Sequence, residues 1–169
     1  MRQIILDLLE FSRVGRLENE MEQVNFSELI SDVMLLLKNQ IEESHAIINV
    51  EKMPVINTRK TPLIQVFQNL IGNALKYRNS ETPPVIKISC QAIPGYWMFS
   101  IKDNGIGIDK EYFEKIFIIF QRLHNKNEYT GTGIGLAIVK KIINNLDGKI
   151  WVESEEGKGT SFYFTIPRY

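Results

Sequence analysis

The chain has 169 residues, with 20 Lys and Arg balanced by 20 Asp and Glu, and 44 % of its side chains are hydrophobic. That composition excludes a wholly disordered chain and supplies one substantial core, so one domain with a short appendage is the natural count. Zero net charge argues against nucleic-acid binding by bulk electrostatics.

The longest aliphatic run, Val33–Leu37, is too short to span a bilayer, and no basic-then-apolar segment opens the chain, so a cytoplasmic domain is expected. Cys90 stands alone, which excludes an intrachain disulfide and a cysteine-based zinc site and suits a reducing compartment. With only His45 and His124, a multi-histidine metal site is not expected.

In chain order, Ile4, Ile5, Leu8, Leu9 and Phe11 mark an amphipathic helix over residues 1–14. No N-cap precedes it, so it reads as the tail of a longer element. It either packs on its own domain or joins a helical bundle with other chains. Gly15–Gln23 is polar and reads as a linker. Val24–Phe26 suggests a short strand, and Ser27 sits where an N-cap belongs before a helix running to about Glu43. Ala46–Glu51 is β-like, and Pro54 to Lys60 reads as loop. Thr61-Pro62 predicts a helix start, with the helix reaching about Tyr77. Val85–Gln91 and Tyr96–Lys102 alternate around Pro94-Gly95 and predict an antiparallel hairpin. A glycine-containing turn follows at Asp103–Ile108, then a short helix at Lys110–Phe117. Gln121–Thr132 is polar and reads as mobile. Ile134–Leu146 predicts a helix stopped by Asp147-Gly148, and Lys149–Ser154 and Ser161–Ile166 predict a second hairpin. The order implies an α+β two-layer sandwich, a mixed sheet with helices on one face.

Four stretches could carry chemistry. In the helix from Thr61 to Tyr77, Asn69, Asn73 and Lys76 form a stripe beside the apolar face. It is either a polar surface or a ligand wall, since an amide oxygen suits Mg²⁺ and an ammonium suits phosphate. Asp103-Asn104-Gly105-Ile106-Gly107-Ile108 ends a strand in a carboxylate followed by two glycines. It is either a tight Asx-capped turn or a place where a flat ligand approaches backbone. Gly131-Thr132-Gly133-Ile134-Gly135-Leu136 leads into a helix, as a hinge or as a phosphate-facing helix N-terminus. It matches neither the P-loop nor the dinucleotide fingerprint. Gly157-Lys158-Gly159-Thr160 reads by itself as a hairpin turn.

The ordered set is more specific than its parts. Asn-x-x-x-Asn-Ala-x-Lys-Tyr (Asn69–Tyr77), Asp-x-Gly-x-Gly (Asp103–Gly107), Phe-x-x-Phe (Phe117–Phe120), Gly-x-Gly-x-Gly-Leu (Gly131–Leu136) and Gly-x-Gly-Thr (Gly157–Thr160) resemble the catalytic ATP-binding domain of two-component sensor histidine kinases. The resemblance runs from about Val24 to Pro167. It implies a Bergerat-type sandwich that binds ATP and Mg²⁺. It implies that Asn73 coordinates the metal with Asn69 in support, that Lys76 contacts phosphate, and that Tyr77 lies against base or ribose. By the same resemblance Asp103 takes the adenine amino group, and Gly105 and Gly107 let the base approach. Residues from about Gln121 to Thr130 form a lid, and Gly131, Thr132, Gly133, Gly135 and Leu136 shape the phosphate side. Thr160 sits near adenine.

Ile4–Val14 resembles the end of the second helix of the dimerisation and phosphoacceptor hairpin. The expected division is residues 1–23 as remnant helix and linker, and 24–169 as catalytic domain. No histidine precedes His45, so the phosphoacceptor histidine is expected on an upstream helix, and the chain by itself is not expected to autophosphorylate. The expected partners are ATP, that phosphoacceptor domain and a response regulator receiver domain, with a homodimer through the N-terminal helix left open and no nucleic acid. Two rival readings stand beside the kinase: an ATP hydrolase of the same fold, and a non-enzymatic nucleotide-binding or docking module. Hydrolases of this fold place a Glu where Asn69 stands, and an amide is a poor general base.

Overall fold

The computed structural model describes residues 1–14, 20–123 and 129–169. Residues 15–19 of the expected linker and 124–128 of the expected lid, His124 among them, lie outside the described residues.

Alternation of apolar and polar residues builds the main sheet. In β4 (Val85–Ile93) and β5 (Tyr96–Asp103), Ile86, Ile88, Phe99 and Ile101 are buried, while Lys87 and Lys102 are exposed. The two strands pair antiparallel, and Gly95 at φ 77° makes the turn between them. β7 (Gly159–Pro167) lies antiparallel to β5, and β6 (Ile150–Glu155) antiparallel to β7. β2 (Ile47–Val50) joins in parallel to β4, so the five-stranded sheet is mixed, with order β2-β4-β5-β7-β6.

A separate two-stranded sheet pairs β1 (Glu22–Asn25) antiparallel with β3 (Val55–Thr58). The expected loop at 54–60 is therefore in part a strand. Only Ile56 and Thr58 of its four residues are buried, and so short an alternation after a proline does not stand out from a polar loop.

α2 (Phe26–Leu36) and α3 (Lys38–Ser44) replace the single helix expected to Glu43. Leu37 breaks the run at φ −97°, ψ 8°. The cap is Asn25 rather than Ser27: its side chain accepts from the N–H groups of Ser27 and Glu28. α4 (Lys60–Lys76) starts one residue before Thr61, with Arg59 at the cap position and no side-chain cap bond. Pro62 still falls in the first turn, where N–H groups have no intrahelical partner. The expected helix at 110–117 is two 3-10 turns, Lys110–Tyr112 and Lys115–Phe117. α5 (Gly135–Asn145) follows the glycine-rich segment.

Four phenylalanines join the layers. Phe26 of α2 stacks on Phe99 of β5 at 4.7 Å, and Phe99 on Phe164 of β7 at 5.0 Å. Phe67 of α4 meets all three edge-on, at 5.6–6.1 Å. All four are fully buried, and edge-to-face pairs add about 0.5–1.5 kcal/mol each beyond area burial. This packing fixes which face of α4 points away from the core, and so where its polar stripe emerges.

α1 (Arg2–Arg13) touches α5. Lys141 Nζ donates to the Phe11 carbonyl at 2.7 Å and lies 4.4 Å from the Phe11 ring centroid. Phe11 and Val14 pack on the core, yet Ile5, Leu6, Leu8 and Leu9 stay exposed. Among the described residues no helix is long and apolar enough to cross a membrane.

Candidate functional site

The polar stripe of α4 opens into a cavity of about 240 Å³ whose walls include Asn69, Asn73, Lys76 and Tyr77. These four sit there because Leu63, Val66, Phe67, Leu70, Ile71 and Ala74 claim the core side of the same helix. Asn69 Nδ2 donates back to the Gln65 carbonyl at 2.9 Å. Its Oδ1 then lies toward the start of α5, where a Cβ on Gly135 would come within 2.7 Å of it. The Asn73 side chain, half-buried in the wall, takes no hydrogen bond from the described residues. Lys76 Nζ lies 4.6 Å from the Tyr77 ring centroid, and a Cβ on Gly131 would meet it at 2.5 Å. The Tyr77 ring in turn tilts against Tyr129 at 4.9 Å.

Asp103 closes the wall at the end of β5. Its Oδ1 accepts from the Gly105 N–H at 2.8 Å and the Thr160 N–H at 3.2 Å. Burial pushes its carboxyl above the usual carboxylate range, and these two hydrogen bonds pull part of the way back. A carboxylate kept in such surroundings is a functional-site indicator. Thr160, buried, lines the cavity beside it.

The glycines of this turn have a use that sequence reading did not find. A Cβ at Gly105 would strike the Tyr77 carbonyl at 2.3 Å, and one at Gly107 the Glu155 carbonyl at 2.2 Å. Both glycines let protein backbone approach protein backbone, and Gly107 also lines the cavity whereas Gly105 does not. Ile106 is held between them, donating to the Tyr77 carbonyl at 3.0 Å and accepting from the Gly157 N–H at 2.7 Å.

Gly131, Thr132, Gly133, Gly135 and Leu136 all line the cavity. Among the described residues no side chain caps α5, so the N–H groups and positive dipole end of its first turn sit at the cavity wall. Gly133, at φ 76°, accepts from the Phe120 N–H at 3.0 Å, which ties the glycine segment to the Phe-x-x-Phe segment.

Other wall residues were missed. Asp7 of α1 reaches the cavity and accepts a hydrogen bond from the Thr132 hydroxyl. Arg122, read only as part of a lid, lines it too, bonded to the Tyr129 carbonyl. Ile106, Ile108 and Phe162 supply an apolar surface next to Asp103. Nothing local marks Asp7, because its partner is 125 residues away.

Among the described residues, no cluster of three or more His, Cys, Asp or Glu could by itself hold a metal ion. The donor set present fits Mg²⁺ bound in another way. That ion keeps most of its waters, takes one or two protein oxygens and shares the oxygens of a bound phosphate chain. The Asn73 amide, unengaged by the described residues and on the same wall as Lys76, matches that requirement.

A family model described as histidine kinase-, DNA gyrase B-, and HSP90-like ATPase matches residues 58–169. The chain is 45 % identical over 167 residues to phytochrome-like protein Cph1 of Synechocystis sp., an alignment that takes in 99 % of this chain and 22 % of that protein. The chain thus spans about a fifth of that relative's length. Among solved structures, full-length ShkA in complex with AMPPNP aligns at TM-score 0.83 and 28 % identity, over 98 % of this chain and 35 % of that one. The catalytic domain of histidine kinase ThkA aligns at TM-score 0.73 and 30 % identity, over 88 % of this chain and 97 % of that one. ThkA in complex with the response regulator TrrA aligns at TM-score 0.74 and 26 % identity, over 99 % of this chain and 47 % of that one. With the mixed sheet, the helical layer and the cavity between α4 and α5 in place, the chain belongs to the histidine kinase-, DNA gyrase B- and HSP90-like ATPase family and carries the α+β Bergerat fold of sensor histidine kinase catalytic domains.

Proposed function

We propose that this chain binds Mg²⁺-ATP and donates its γ-phosphoryl group to a histidine on a dimerisation domain, from which it passes to a response regulator aspartate. The observation that carries this reading is one cavity that gathers Asn69, Asn73, Lys76, Tyr77, Asp103 and Thr160 with the glycine segment 131–135. Asp103 accepts the adenine amino group through the oxygen that the backbone N–H groups leave open. Tyr77 flanks the base or ribose, and Ile106 and Ile108 give the base an apolar bed. Lys76 and the N–H groups at the start of α5 hold the phosphates.

Asn73 would hold Mg²⁺ through its amide oxygen, with Asn69 keeping the same wall polar. When bound, the ion supplies charge neutralisation between phosphate oxygens. The chain's own contribution is positioning and electrostatic stabilisation, as in other phosphoryl transfers. Asn69 stands where a water-activating base would be needed, which favours transfer over hydrolysis.

In this reading residues 1–23 are a helix remnant and linker outside the catalytic domain at 24–169, and the domain works in the cytoplasm. The complexes of ShkA with AMPPNP and of ThkA with a response regulator support the nucleotide and the receiver partner by analogy. The test is to mix the chain with a separately made phosphoacceptor helix pair and γ-labelled ATP. Label on the acceptor histidine, lost in Asn73→Ala, is expected. Fast release of free phosphate without label on histidine would overturn transfer in favour of hydrolysis.

A further inference from the structure

Ser154 of β6 stands opposite Thr160 of β7, directly behind the Asp103 end of the cavity. Its Oγ accepts from the Ile108 N–H at 2.8 Å, lies 2.8 Å from the Gly159 carbonyl and lies 2.8 Å from Thr160 Oγ1. A hydroxyl has one proton and two lone pairs. The Gly159 carbonyl can only accept, so the Ser154 proton belongs there. The Ile108 N–H can only donate, so it takes one lone pair. The other lone pair faces Thr160 Oγ1, which must therefore supply its own proton. With that proton committed to the wall, the Thr160 oxygen offers the cavity lone pairs alone. The reverse arrangement, Ser154 donating to Thr160, would strip the carbonyl of the buried Gly159 of this bond.

We propose that Ser154 is a positioning residue for base selection: by taking the Thr160 proton it makes the Thr160 hydroxyl a fixed acceptor, so that this end of the cavity favours a purine with an amino group at C6 over one with a carbonyl there. The inference rests on the reading of Asp103 as the adenine end. It adds a second acceptor beside Asp103, because the Thr160 hydroxyl is held in one sense by three hydrogen bonds at Ser154.

The test is calorimetric titration of the 169-residue chain with ATP and with ITP, its 6-oxo counterpart, both with Mg²⁺. The wild type prefers ATP. Ser154→Ala frees the Thr160 proton, so the ATP-over-ITP preference falls about three- to tenfold, the worth of one neutral hydrogen bond. Ser154→Thr, which keeps a hydroxyl, restores it. Thr160→Val tests the same polarity should Ser154→Ala fail to fold: removing an acceptor weakens ATP and leaves ITP unchanged. A folded Ser154→Ala protein with the wild-type preference, or a Thr160→Val protein that loses ITP as much as ATP, overturns the inference while the nucleotide site stands. A wild-type chain that binds neither nucleotide overturns the nucleotide reading and this inference with it.

Discussion

Asp103→Asn separates the binding role proposed for this residue from its effect on stability. The substitution removes a buried charge at nearly constant shape. Two backbone donors, Gly105 N–H at 2.8 Å and Thr160 N–H at 3.2 Å, hold Oδ1. They select the amide rotamer that keeps an oxygen there, which turns the –NH₂ group toward the cavity. A ligand amino group that met a carboxylate oxygen now meets a second donor. Losing a hydrogen bond to a charged group costs about 1.5–3 kcal/mol, or roughly tenfold to 150-fold in Kd. Isothermal titration with Mg²⁺-ATP at pH 7 reads it. Stability moves the other way. Burial raises the carboxyl's pKa in the folded state, so between the ordinary and the raised value the folded chain holds more proton than the unfolded one. Stability of the wild type then falls as pH rises through that window. Above that window the penalty is fully present in the wild type and absent in Asp103→Asn. The variant's Tm is therefore higher there, and the gap closes as pH falls through the raised value toward the ordinary carboxylate range. Unchanged ATP affinity, or a Tm gap that widens on acidification, would refute the reasoning.

Gly107→Ala places a methyl 2.2 Å from the Glu155 carbonyl at φ 75°, so a loss of at least about 2 kcal/mol is expected in urea unfolding. Asp7→Asn removes a carboxylate from the cavity wall, and ATP affinity rises by about 0.5–1 kcal/mol at low salt. The gain shrinks in calorimetry at high ionic strength. Phe67→Ala empties the centre of the four-ring cluster and costs about 3–5 kcal/mol. Its denaturation midpoint falls, while the cavity residues keep their chemistry in whatever fraction stays folded.

Much of this arrangement could be read before the structure. The alternating runs at 85–102 and the i, i+3, i+4 face of α4 are strong periodic patterns, and they placed Asn69, Asn73 and Lys76 on one side correctly. What escaped was non-local. β3 is four residues long and defined by its partner β1. The cap at Asn25 took precedence over Ser27 because the strand ends there and its amide reaches two N–H groups. Asp7 reaches the cavity, and Ser154 reaches Thr160 at its wall, through partners brought close by the fold, at separations of 125 residues for Thr132 and 46 for the Ile108 N–H. No spacing rule in one dimension carries such pairs.

Five of the motif glycines fall into two physical kinds, although in sequence they look alike. At Gly105, Gly107 and Gly159 a Cβ would strike carbonyl oxygens of Tyr77, Glu155 and Asp103 at 2.1–2.3 Å. Backbone cannot swing aside as a side chain can, so these positions weld the β5 end, the α4 end and the β6–β7 turn into one rigid block around Asp103. At Gly131 and Gly135 the nearest atoms are Lys76 Nζ and Asn69 Oδ1, at 2.5 and 2.7 Å. Those are the tips of polar side chains, which can yield. Alanine at the first group therefore damages the fold and, on the proposed reading, base recognition with it. Alanine at Gly135 leaves the fold largely intact and displaces the Asn69 amide, whereas alanine at Gly131, at φ 141°, strains the backbone as well as displacing the Lys76 ammonium. On the proposed reading, the cavity is rigid at its base end and yielding at its phosphate end because of the atoms each glycine has been fitted against.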